Sequence, residues 1–415
     1  MGKRLIILNQ QPHVPSFMLA AITAAEGFYD EIFYVNPRCP DNTDAVGREA
    51  RVHFLHPSVL RRAISCPRAL FSLFNPVVFS DLIQCIKDRK KLFRLLPQLL
   101  AEQRIHHRIA PVARRLVRNA AEMSEVVLFS VWLDACAYTA AVLKRRFPMV
   151  KALSLAHSYE VLAARNPYIP YRHIRFKHRY LDGVFFISYA VMRNYFSEMG
   201  DRVAIYREKC HVCHLGTYRD DDRRNPVDES LFNICTCSWA VPLKRLDILM
   251  DALKEWRHGK IRWTHIGGGP LLEKYRRDAL KVMAGNPLVE IVFLGRIPNC
   301  SVKRYYAEHP IDLFLNLSCF EGLPVSVMEA VSYGIPVIAT DVGGTGEIVC
   351  AETGFLLKEE VSPFEVREAL CHYRELPPDV RTRLRAAASE YWASHFDARH
   401  NMADLFERIA ALNAS

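Results

Sequence analysis

Several kinds of sequence that would direct this chain into a membrane or an export pathway are missing. No window reaches the ~18 consecutive apolar residues that a spanning helix needs. The apolar run within MGKRLIILNQQ is too short for the core of a signal peptide, and the stretch lacks the serine or threonine of a myristoylation signal. We therefore expect a cytoplasmic protein.

The chain also lacks low-complexity tracts, short repeats and a disulfide framework. Most of its 12 cysteines stand alone, as buried thiols of a reducing compartment do. The one cluster, CHVCH at 210–214, has the spacing of covalent haem attachment and could also supply zinc ligands. We interpret it as a buried strand that runs into a turn at Gly216, because haem attachment normally implies export.

A length of 415 residues suits two domains. Apolar runs typical of strands alternate with helical patterns, which implies parallel sheets with right-handed crossovers. The first runs lie at 3–9, 31–36, 52–56, 125–130, 151–157, 182–188 and 211–216. The later runs lie at 231–238, 262–270, 289–295, 311–318, 336–340 and 354–357. The pattern predicts an α/β fold of two doubly wound domains.

The polar, proline-containing stretch 219–230 is the predicted linker. We expect a first domain of residues 1–222, with a basic helical insertion at about 57–120, and a second domain of residues 223–390. Residues 391–415 are expected to form a C-terminal helix that packs back on the first domain. The apolar residues that indicate this helix are Trp392, Phe396, Met402, Phe406 and Ile409.

Positive charge is concentrated in one segment. Residues 61–120 carry 13 lysines and arginines against three acidic residues, an excess equal to the net charge of +10 of the chain. Lys87, Lys90, Lys91 and Arg94 share one helical face among leucines and phenylalanines. The segment is either a solvated helix face or an interfacial helix on an anionic membrane surface. In the second case, the protein would be peripheral on the inner face of the cell membrane. No motif for nucleic acid accompanies the charge.

The stretch CFEGLPVSVMEA follows a predicted strand and combines two carboxylates with a turn. Glu321 and Gly322 turn the chain, and Pro324 is placed to be the first helical residue. The amides that open the helix then favour a phosphate or diphosphate. Because carboxylates accept hydrogen bonds from vicinal hydroxyls, Glu321 and Glu329 suit a ligand with a phosphate between two polyols. The alternative is a surface turn followed by an ordinary helical glutamate.

One stretch of the sequence resembles the E-x7-E signature of family 4 retaining glycosyltransferases, namely FEGLPVSVMEA followed by GIPVIATDVGGTGEIV. This family, also called glycosyltransferase group 1, has the GT-B fold and uses nucleotide sugars. Three more stretches resemble other segments of that family: CSWAVPLKRLDILMDAL, HIGGGPLLEKY and VFLGRIPNCSVKRYY. A fourth, LSLAHSYE, resembles a segment of its capsule and lipopolysaccharide-type members. The resemblance covers most of the chain from about 125 to 357. It implies two Rossmann-like domains facing a cleft, with the C-terminal helix packing back on the first.

The resemblance also implies roles for individual residues. The implied catalytic residues are Glu321, at the transferred sugar, Lys244, on the diphosphate, and His157, facing the donor sugar. Glu329 would bind the ribose hydroxyls. The other implied donor-binding residues are Gly322, Leu323, Pro324, Val325, Gly268, Gly269, Arg296, Arg245 and Trp239.

Three positions depart from the family pattern. Trp239 stands where the family usually has an arginine, and Arg245 and Arg296 are the candidates to replace that cation. The first loop, NQQPHVPSF, has no glycine, although many relatives have a Gly-rich loop there. Where the family usually has a glycine and an acidic residue after the histidine, this chain has Ser158 and Glu160.

The implied function is transfer of a sugar, with retention, from a nucleotide-diphosphate sugar to a glycan or lipid-linked acceptor in cell-surface polysaccharide or lipopolysaccharide biosynthesis. We expect no cofactor and no metal ion, because Lys244 and the helix amides supply positive charge and no loop carries an Asp-x-Asp constellation. One alternative is a non-catalytic GT-B protein that binds a nucleotide sugar or glycan. Another is a nucleotide-sugar epimerase or phosphorylase on the same fold. HIGGGP lacks the G-x-G-x-x-G spacing of a dehydrogenase.

Overall fold

The computed structural model describes residues 2–11, 16–37, 52–55, 67–85, 89–162, 173–219 and 223–412. The chain divides into two compact units. Unit 1 is Met1–Leu215 with Arg399–Ser415, and unit 2 is Gly216–Ala398. The division falls at 215/216, whereas the predicted boundary is 222/223, and unit 1 resumes at Arg399, whereas the C-terminal helix was predicted from residue 391.

Unit 1 is built on a seven-stranded sheet in the order β3-β2-β1-β4-β5-β6-β7, with every pair parallel. Its strands are β1 (Lys3–Leu8), β2 (Glu31–Val35), β3 (Val52–Leu55), β4 (Glu125–Ser130), β5 (Lys151–Ala156), β6 (Gly183–Phe186) and β7 (Cys210–Val212). Its helices are α1 (Ser16–Ala25), α2 (Pro76–Cys85), α3 (Arg89–Arg118), α4 (Ala135–Arg146), α5 (Ser158–Val161), α6 (Ile174–Tyr180) and α7 (Tyr189–Met199).

Unit 2 has a six-stranded parallel sheet in the order β10-β9-β8-β11-β12-β13. Its strands are β8 (Phe232–Cys237), β9 (Ile261–Ile266), β10 (Val289–Gly295), β11 (Leu313–Asn316), β12 (Val337–Thr340) and β13 (Gly354–Leu357). Its helices are α8 (Leu246–Lys254), α9 (Leu272–Gly285), α10 (Asn299–Glu308), α11 (Val325–Ser332), α12 (Pro363–Glu375) and α13 (Pro378–His395), and the chain ends in α14 (Ala398–Ala411).

Strands form where the sequence has short continuous apolar runs, because helices cover both faces of each sheet. Every residue of β11 and β12 is buried. In both sheets the strand order reverses beside the first strand, between β1 and β4 and between β8 and β11. Ligands of doubly wound proteins bind at such reversals, at the carboxyl ends of the strands.

The C-terminal segment contains two helices, where one was predicted from residue 391. The break lies at Phe396 and Asp397, where the chain pairs with Thr217, whose amide donates to the Phe396 carbonyl at 2.9 Å. Trp392 precedes the break and donates its indole N–H to the Thr217 hydroxyl. In α14, the ring of Phe406 packs against those of Tyr29 and others of unit 1. The first apolar residues of the segment therefore belong to unit 2 and the later ones to unit 1.

The predicted cationic face of residues 61–120 falls largely outside the described residues, which exclude Lys87 and the side chains of Lys90, Lys91 and Arg94. Within the described ranges, no helix combines the length and the hydropathy that crossing a bilayer requires. The CHVCH cluster provides strand β7, and burial raises the pKa of the Cys210 and Cys213 thiols to about 12.

A buried ion pair ties α14 to the sheet of unit 1. Lys151 Nζ lies 2.7 Å from Glu125 Oε1 and donates to the Ile409 carbonyl at 2.5 Å. Both charged side chains are at least nine-tenths buried. Removing one partner of such a pair leaves the other charge buried without compensation.

We expect Lys151→Met to lower the free energy of unfolding by about 3 kcal/mol, because the buried Glu125 carboxylate loses its buried cation. Urea denaturation measures the change. The matched control is Lys254→Met, which breaks the exposed pair with Asp251 and should cost less than about 1 kcal/mol. Equal effects of the two variants would contradict the assignment of Lys151 as a buried tie.

Candidate functional site

The loops that follow β8 and β11 meet at the strand-order reversal of unit 2. The Cys319 amide donates to the Leu243 carbonyl at 3.0 Å, which joins the two loops through their backbones. Lys244 ends the short 3₁₀ turn Pro242–Lys244 in the first loop, and Glu321 lies in the second. The sheet topology therefore brings together two of the predicted catalytic residues, which are 77 residues apart in the sequence.

Lys244 and Glu321 form a partly buried ion pair. The distance from Lys244 Nζ to Glu321 Oε1 is 2.5 Å, and the two side chains are 20% and 12% exposed. Asn316, the last residue of β11, donates its amide to the same carboxylate oxygen at 3.2 Å. Asn316 in turn accepts hydrogen bonds from the amide and hydroxyl of Ser318, which fixes its orientation. The pair places one cation and one anion side by side at the reversal.

Glu329 lies on the β10 side of the same edge. It is buried, and it accepts a hydrogen bond from Asn299 Nδ2 at 2.8 Å. Asn299 opens α10, directly after the loop that follows β10. The charge of Glu329 also reaches Cys237 at the end of β8, where burial and this carboxylate raise the pKa of the thiol to about 12. Glu329 is therefore held by the β10 loop, whereas Glu321 is held by the β8 loop.

Helix α11 begins at Val325, with Pro324 as its N-cap, one residue later than predicted. The first helical hydrogen bonds run from the amides of Val327 and Met328 to the Pro324 carbonyl. The amides of Val325 and Ser326 precede them and have no acceptor within the helix. Leu323 is buried beneath this turn. The helix start thus supplies backbone donors close in sequence to Glu321.

Two glycines are required by the close approach of neighbouring loops. A Cβ atom on Gly267, with φ of +141°, would lie 1.9 Å from the Ser238 carbonyl oxygen. A Cβ on Gly343, with φ of +57°, would lie 1.9 Å from the Glu321 carbonyl oxygen. The glycines of HIGGGP and DVGGTG therefore let the backbones of adjacent loops pack together.

The glycine loop after β9 borders a cavity of about 350 Å³. Trp239, 53% exposed, and Gly268 form part of its wall, with Arg296 and Val302 beside them. Gly269 packs on Ala240, whose amide donates to the Gly268 carbonyl at 2.7 Å. The cavity is lined by one aromatic side chain, one cation and the backbone of the glycine loop.

The two candidate cations for the missing arginine have different surroundings. Arg245 adopts φ of +48°, and its guanidinium donates to the carbonyls of Leu317, Ser318 and Glu359 at 2.5, 3.0 and 2.6 Å. Arg245 is thus bound to two stretches of backbone, 317–318 and the chain at Glu359. Arg296 is exposed and lines the cavity.

His157 lies at the carboxyl end of β5, in unit 1. Its Nδ1 is 3.0 Å from Glu160 Oε1, and its backbone amide donates to the same oxygen at 2.6 Å. Because Nδ1 donates to a carboxylate, Nε2 is left as a hydrogen-bond acceptor. Nε2 is buried and has no partner among the described residues. The imidazole therefore has one oriented and available acceptor.

Two further residues, Trp132 and Asp134, follow β4 at the carboxyl edge of the unit 1 sheet. The Trp132 ring packs on the imidazole with centroids 4.0 Å apart. Asp134 caps α4 by accepting the Cys136 amide at 2.9 Å and also bonds to Gln10 Nε2. Burial raises the pKa of the Asp134 carboxyl to about 7.

The residues predicted from the sequence did not include Asn299, Asn316, Trp132 or Asp134. Each one stands at or shortly after the carboxyl end of a strand, which is the signal that could have found it. Within the described ranges, no group of three or more His, Cys, Asp or Glu side chains is arranged to hold a metal ion.

Comparison with known proteins gives a family match that lies within unit 2. Residues 232–373 match the family described as Glycosyl transferases group 1. The sulfoquinovosyl transferase SQD2 of Arabidopsis thaliana is 33% identical over 145 residues, which are 34% of this chain and 25% of SQD2. The O-antigen biosynthesis glycosyltransferase WbnH of Escherichia coli is 36% identical over 84 residues, 20% of this chain and 22% of WbnH. The chain thus matches only about a quarter of the length of these relatives.

Solved structures resemble nearly the whole chain. HepE of Anabaena, solved in complex with UDP, has a TM-score of 0.70 at 16% identity and covers 99% of this chain and 100% of its own. Sucrose-phosphate synthase of Thermosynechococcus elongatus has a TM-score of 0.68 at 15% identity, with 99% of each chain covered. The prediction of two doubly wound sheets in a GT-B fold is confirmed, and the stretch that contains Lys244, Glu321 and Glu329 matches group 1 glycosyltransferases.

Proposed function

We propose that the protein is a retaining glycosyltransferase of family 4, which moves a sugar from a nucleotide-diphosphate sugar to a glycan or lipid-linked acceptor. The Lys244–Glu321 pair at the strand-order reversal carries this proposal, because it lies within the stretch that matches group 1 glycosyltransferases. The complexes of HepE with UDP and with UDP-glucose support a nucleotide sugar as the donor.

Lys244 binds the diphosphate by exchanging its carboxylate partner for phosphate oxygens. A diphosphate carries more negative charge than the single Glu321 carboxylate, so the exchange is favoured electrostatically. Glu321, released from the ammonium, then accepts hydrogen bonds from hydroxyls of the transferred sugar. Binding of the donor therefore prepares both residues in one step.

The leaving diphosphate gains negative charge as the glycosidic bond breaks, and stabilising this charge is the main task of the site. Lys244 and the amides of Val325 and Ser326 provide the donors. Arg296 acts as the second cation in place of the family arginine, since Arg245 already braces the backbone. No metal ion is required, because these groups supply the positive charge.

The nucleoside lies on the β9 and β10 side of the edge. Glu329, oriented by Asn299, accepts hydrogen bonds from the ribose hydroxyls. The nucleobase occupies the cavity beside Trp239 and Gly268. Gly322, Leu323, Pro324 and Gly269 shape the backbone around the diphosphate.

His157 Nε2 accepts a hydrogen bond from a hydroxyl of the transferred sugar. Glu160 keeps the proton on Nδ1 and so keeps Nε2 available. The acceptor is a glycan or a lipid-linked glycan of cell-surface polysaccharide or lipopolysaccharide biosynthesis, on the cytoplasmic side of the membrane. WbnH and the putative teichuronic acid glycosyltransferase TuaC of Bacillus subtilis support this class of acceptor.

Thermal unfolding with a panel of UDP- and GDP-sugars tests donor binding, because a ligand of the folded state raises Tm. The donor that gives the largest shift is then incubated with extracts of glycolipid and polysaccharide acceptors, and the anomeric configuration of the product is read by NMR. Retained configuration supports the proposal. An inverted product would refute retention, and an epimerised donor without transfer would favour the epimerase alternative.

Substitutions of Glu329 and Glu321 should have different effects, the first mainly on donor binding and the second mainly on turnover. We expect Glu329→Ala to raise the Kd of the nucleoside diphosphate roughly 10- to 100-fold, because the ribose loses bonds to a charged acceptor. Glu321→Gln should leave this Kd unchanged or lower it, since Lys244 loses its competing partner, while kcat falls at least about tenfold. Titration calorimetry and steady-state rates measure the two effects. The control is Glu273→Gln, which changes an exposed carboxylate of α9.

Lys244→Met should reduce kcat by roughly 10²-fold or more, because the leaving diphosphate loses its main cation. Affinity for the nucleoside diphosphate should fall as well. Lys274→Met, which removes an exposed lysine of α9, is the control for loss of one charge. A Lys244 variant with near-normal turnover would show that another group carries the leaving charge.

His157→Ala should lower kcat roughly 10- to 100-fold, the value of one strong hydrogen bond to the reacting sugar, and leave the Kd of the nucleoside diphosphate unchanged. Glu160→Gln keeps an acceptor for Nδ1 and should lower kcat less. Rates measured with both variants, together with their Tm values, separate this role from a loss of folding. Loss of nucleoside diphosphate binding in His157→Ala would contradict it.

A further inference from the structure

Four buried polar atoms at the carboxyl edge of the unit 1 sheet have no hydrogen-bond partner among the described residues. They are Gln10 Oε1, Trp132 Nε1, His157 Nε2 and Glu160 Oε2. Buried polar groups are normally hydrogen-bonded, because leaving one unpaired costs about 1–3 kcal/mol. Several such atoms at one edge of a sheet indicate a polar ligand.

The side chains that carry these atoms follow three neighbouring strands. Gln10 comes after β1, Trp132 after β4 and His157 after β5, and the order of these strands in the sheet is β1-β4-β5. Adjacent strands are ~4.8 Å apart, so the three strand ends lie within about 10 Å of one another. The ring of Phe17 in α1 packs against both Trp132 and His157, with centroids 6.3 and 5.3 Å apart. Gln10 and Trp132 are only partly buried, so a ligand can reach this edge.

Asp134 decides which end of the Gln10 amide is free. One of its carboxylate oxygens accepts the Cys136 amide at 2.9 Å, and the other accepts Gln10 Nε2. An ionised carboxylate only accepts hydrogen bonds, so it binds the nitrogen of Gln10 and leaves the oxygen for a ligand. The loop itself is held by Asn9, whose Oδ1 accepts the Gln11 amide at 3.1 Å. Gln10 therefore presents an oriented acceptor.

The three groups together match the hydroxyls of a neutral sugar. Trp132 Nε1 can only donate, Gln10 Oε1 can only accept, and a hydroxyl group can do both. His157 Nε2 also accepts, since Nδ1 donates to Glu160. A sugar carboxylate has no hydrogen to give, so it would leave the acceptors of Gln10 and His157 unpaired.

The charges around Asp134 also disfavour an anionic sugar. The charged side chains that act on its carboxyl are Glu102, Glu160 and Lys177. Lys177 is buried, and its Nζ donates to the Leu133 carbonyl at 3.0 Å. Carboxylates thus outnumber the cation in this part of unit 1, and a further negative charge would be repelled more strongly there than in water.

We propose that Gln10, held by Asp134, selects the transferred sugar by accepting a hydrogen bond from one of its hydroxyls, so that the donor carries a neutral sugar and hexuronic acids are rejected. Trp132 donates to another hydroxyl of the same sugar. This inference rests on the proposed glycosyl transfer and extends it to a class of donor. It also gives the first loop, which lacks the glycines of the family pattern, a part in donor recognition.

The donor preference of the unchanged protein is the first test. UDP-glucose is compared with UDP-glucuronic acid, and UDP-galactose with UDP-galacturonic acid, because each pair differs only in a carboxylate that replaces a hydroxymethyl group. If the donor is a GDP-sugar, GDP-mannose and GDP-mannuronic acid are the pair. We expect kcat/KM for the neutral donor to exceed that for the uronic donor at least about 10²-fold. Equal values, or a preference for the uronic donor, would overturn the proposal.

Gln10→Met removes the acceptor and nearly keeps the size of the side chain. At a pH above the pKa of about 7 of Asp134, kcat/KM for the neutral donor should fall roughly tenfold, the value of one hydrogen bond. The Kd of the nucleoside diphosphate should not change, because this ligand lacks the sugar. The matched control, Asn194→Leu, removes an exposed amide from α7 and should change neither quantity. An unchanged kcat/KM in Gln10→Met, or an effect confined to the KM of the acceptor, would refute the assignment.

Asp134→Asn tests Asp134 as a positioning residue. The new amide keeps an oxygen for Cys136 and turns its nitrogen to Gln10, so the Gln10 amide reverses and offers a donor to the sugar. The preference for the neutral over the uronic donor should therefore fall at least about tenfold, whereas a merely structural defect would slow both donors alike. Gln10→Met/Asp134→Asn should lose no more than Gln10→Met, because Asp134 acts through Gln10. Additive losses would contradict this role.

The outcomes separate this inference from the proposed function. Sugar transfer that is insensitive to Gln10→Met would refute the inference and leave the proposed function standing. If no nucleotide sugar is bound or consumed, the proposed function fails, and the inference fails with it. Tm of each variant is measured first, and the donor preference of the unchanged protein decides the matter if a variant does not fold.

Discussion

The candidate site of unit 2 depends on the close approach of backbones at the carboxyl edge of its sheet. Parallel strands end at one edge, so their loops compete for the same space. Gly267 and Gly343 relieve this crowding, and Arg245 binds three carbonyls from two of the approaching stretches. The result is a set of loops joined by backbone contacts, which hold side chains in defined positions before a ligand arrives.

The two glutamates of the motif have different electrostatic surroundings, although only eight residues separate them. Glu321 is compensated by an ammonium group and is partly accessible, so its charge is easily redirected. Glu329 is buried and receives the amide of Asn299. An acceptor held in a dry environment makes stronger and more selective hydrogen bonds than one in water. The arrangement suits a site that must hold one part of a ligand firmly and let another part react.

The fold was largely predictable because its strands have the short, mostly apolar runs of buried parallel strands, as in LFLN of β11 and VIAT of β12. The glutamates were predictable because their turn and helix are local in sequence. The contacts of Asn299 with Glu329 and of Lys244 with Glu321 were not predictable, because they join residues that are 30 and 77 positions apart in the sequence. The break at Phe396 was missed for a similar reason, because pairing with Thr217 overrides a continuous helical pattern.

The return of α14 to unit 1 affects the order in which the protein is completed during synthesis. Unit 2 ends at Ala398, whereas unit 1 needs Arg399–Ser415 as well. A ribosome therefore finishes the second unit before the first has its last helix, and the surface that receives Phe406 stays uncovered until then. To express unit 1 separately, residues 399–415 would have to be linked to residues 1–215. Truncation at residue 215 alone would leave the sheet of unit 1 without α14.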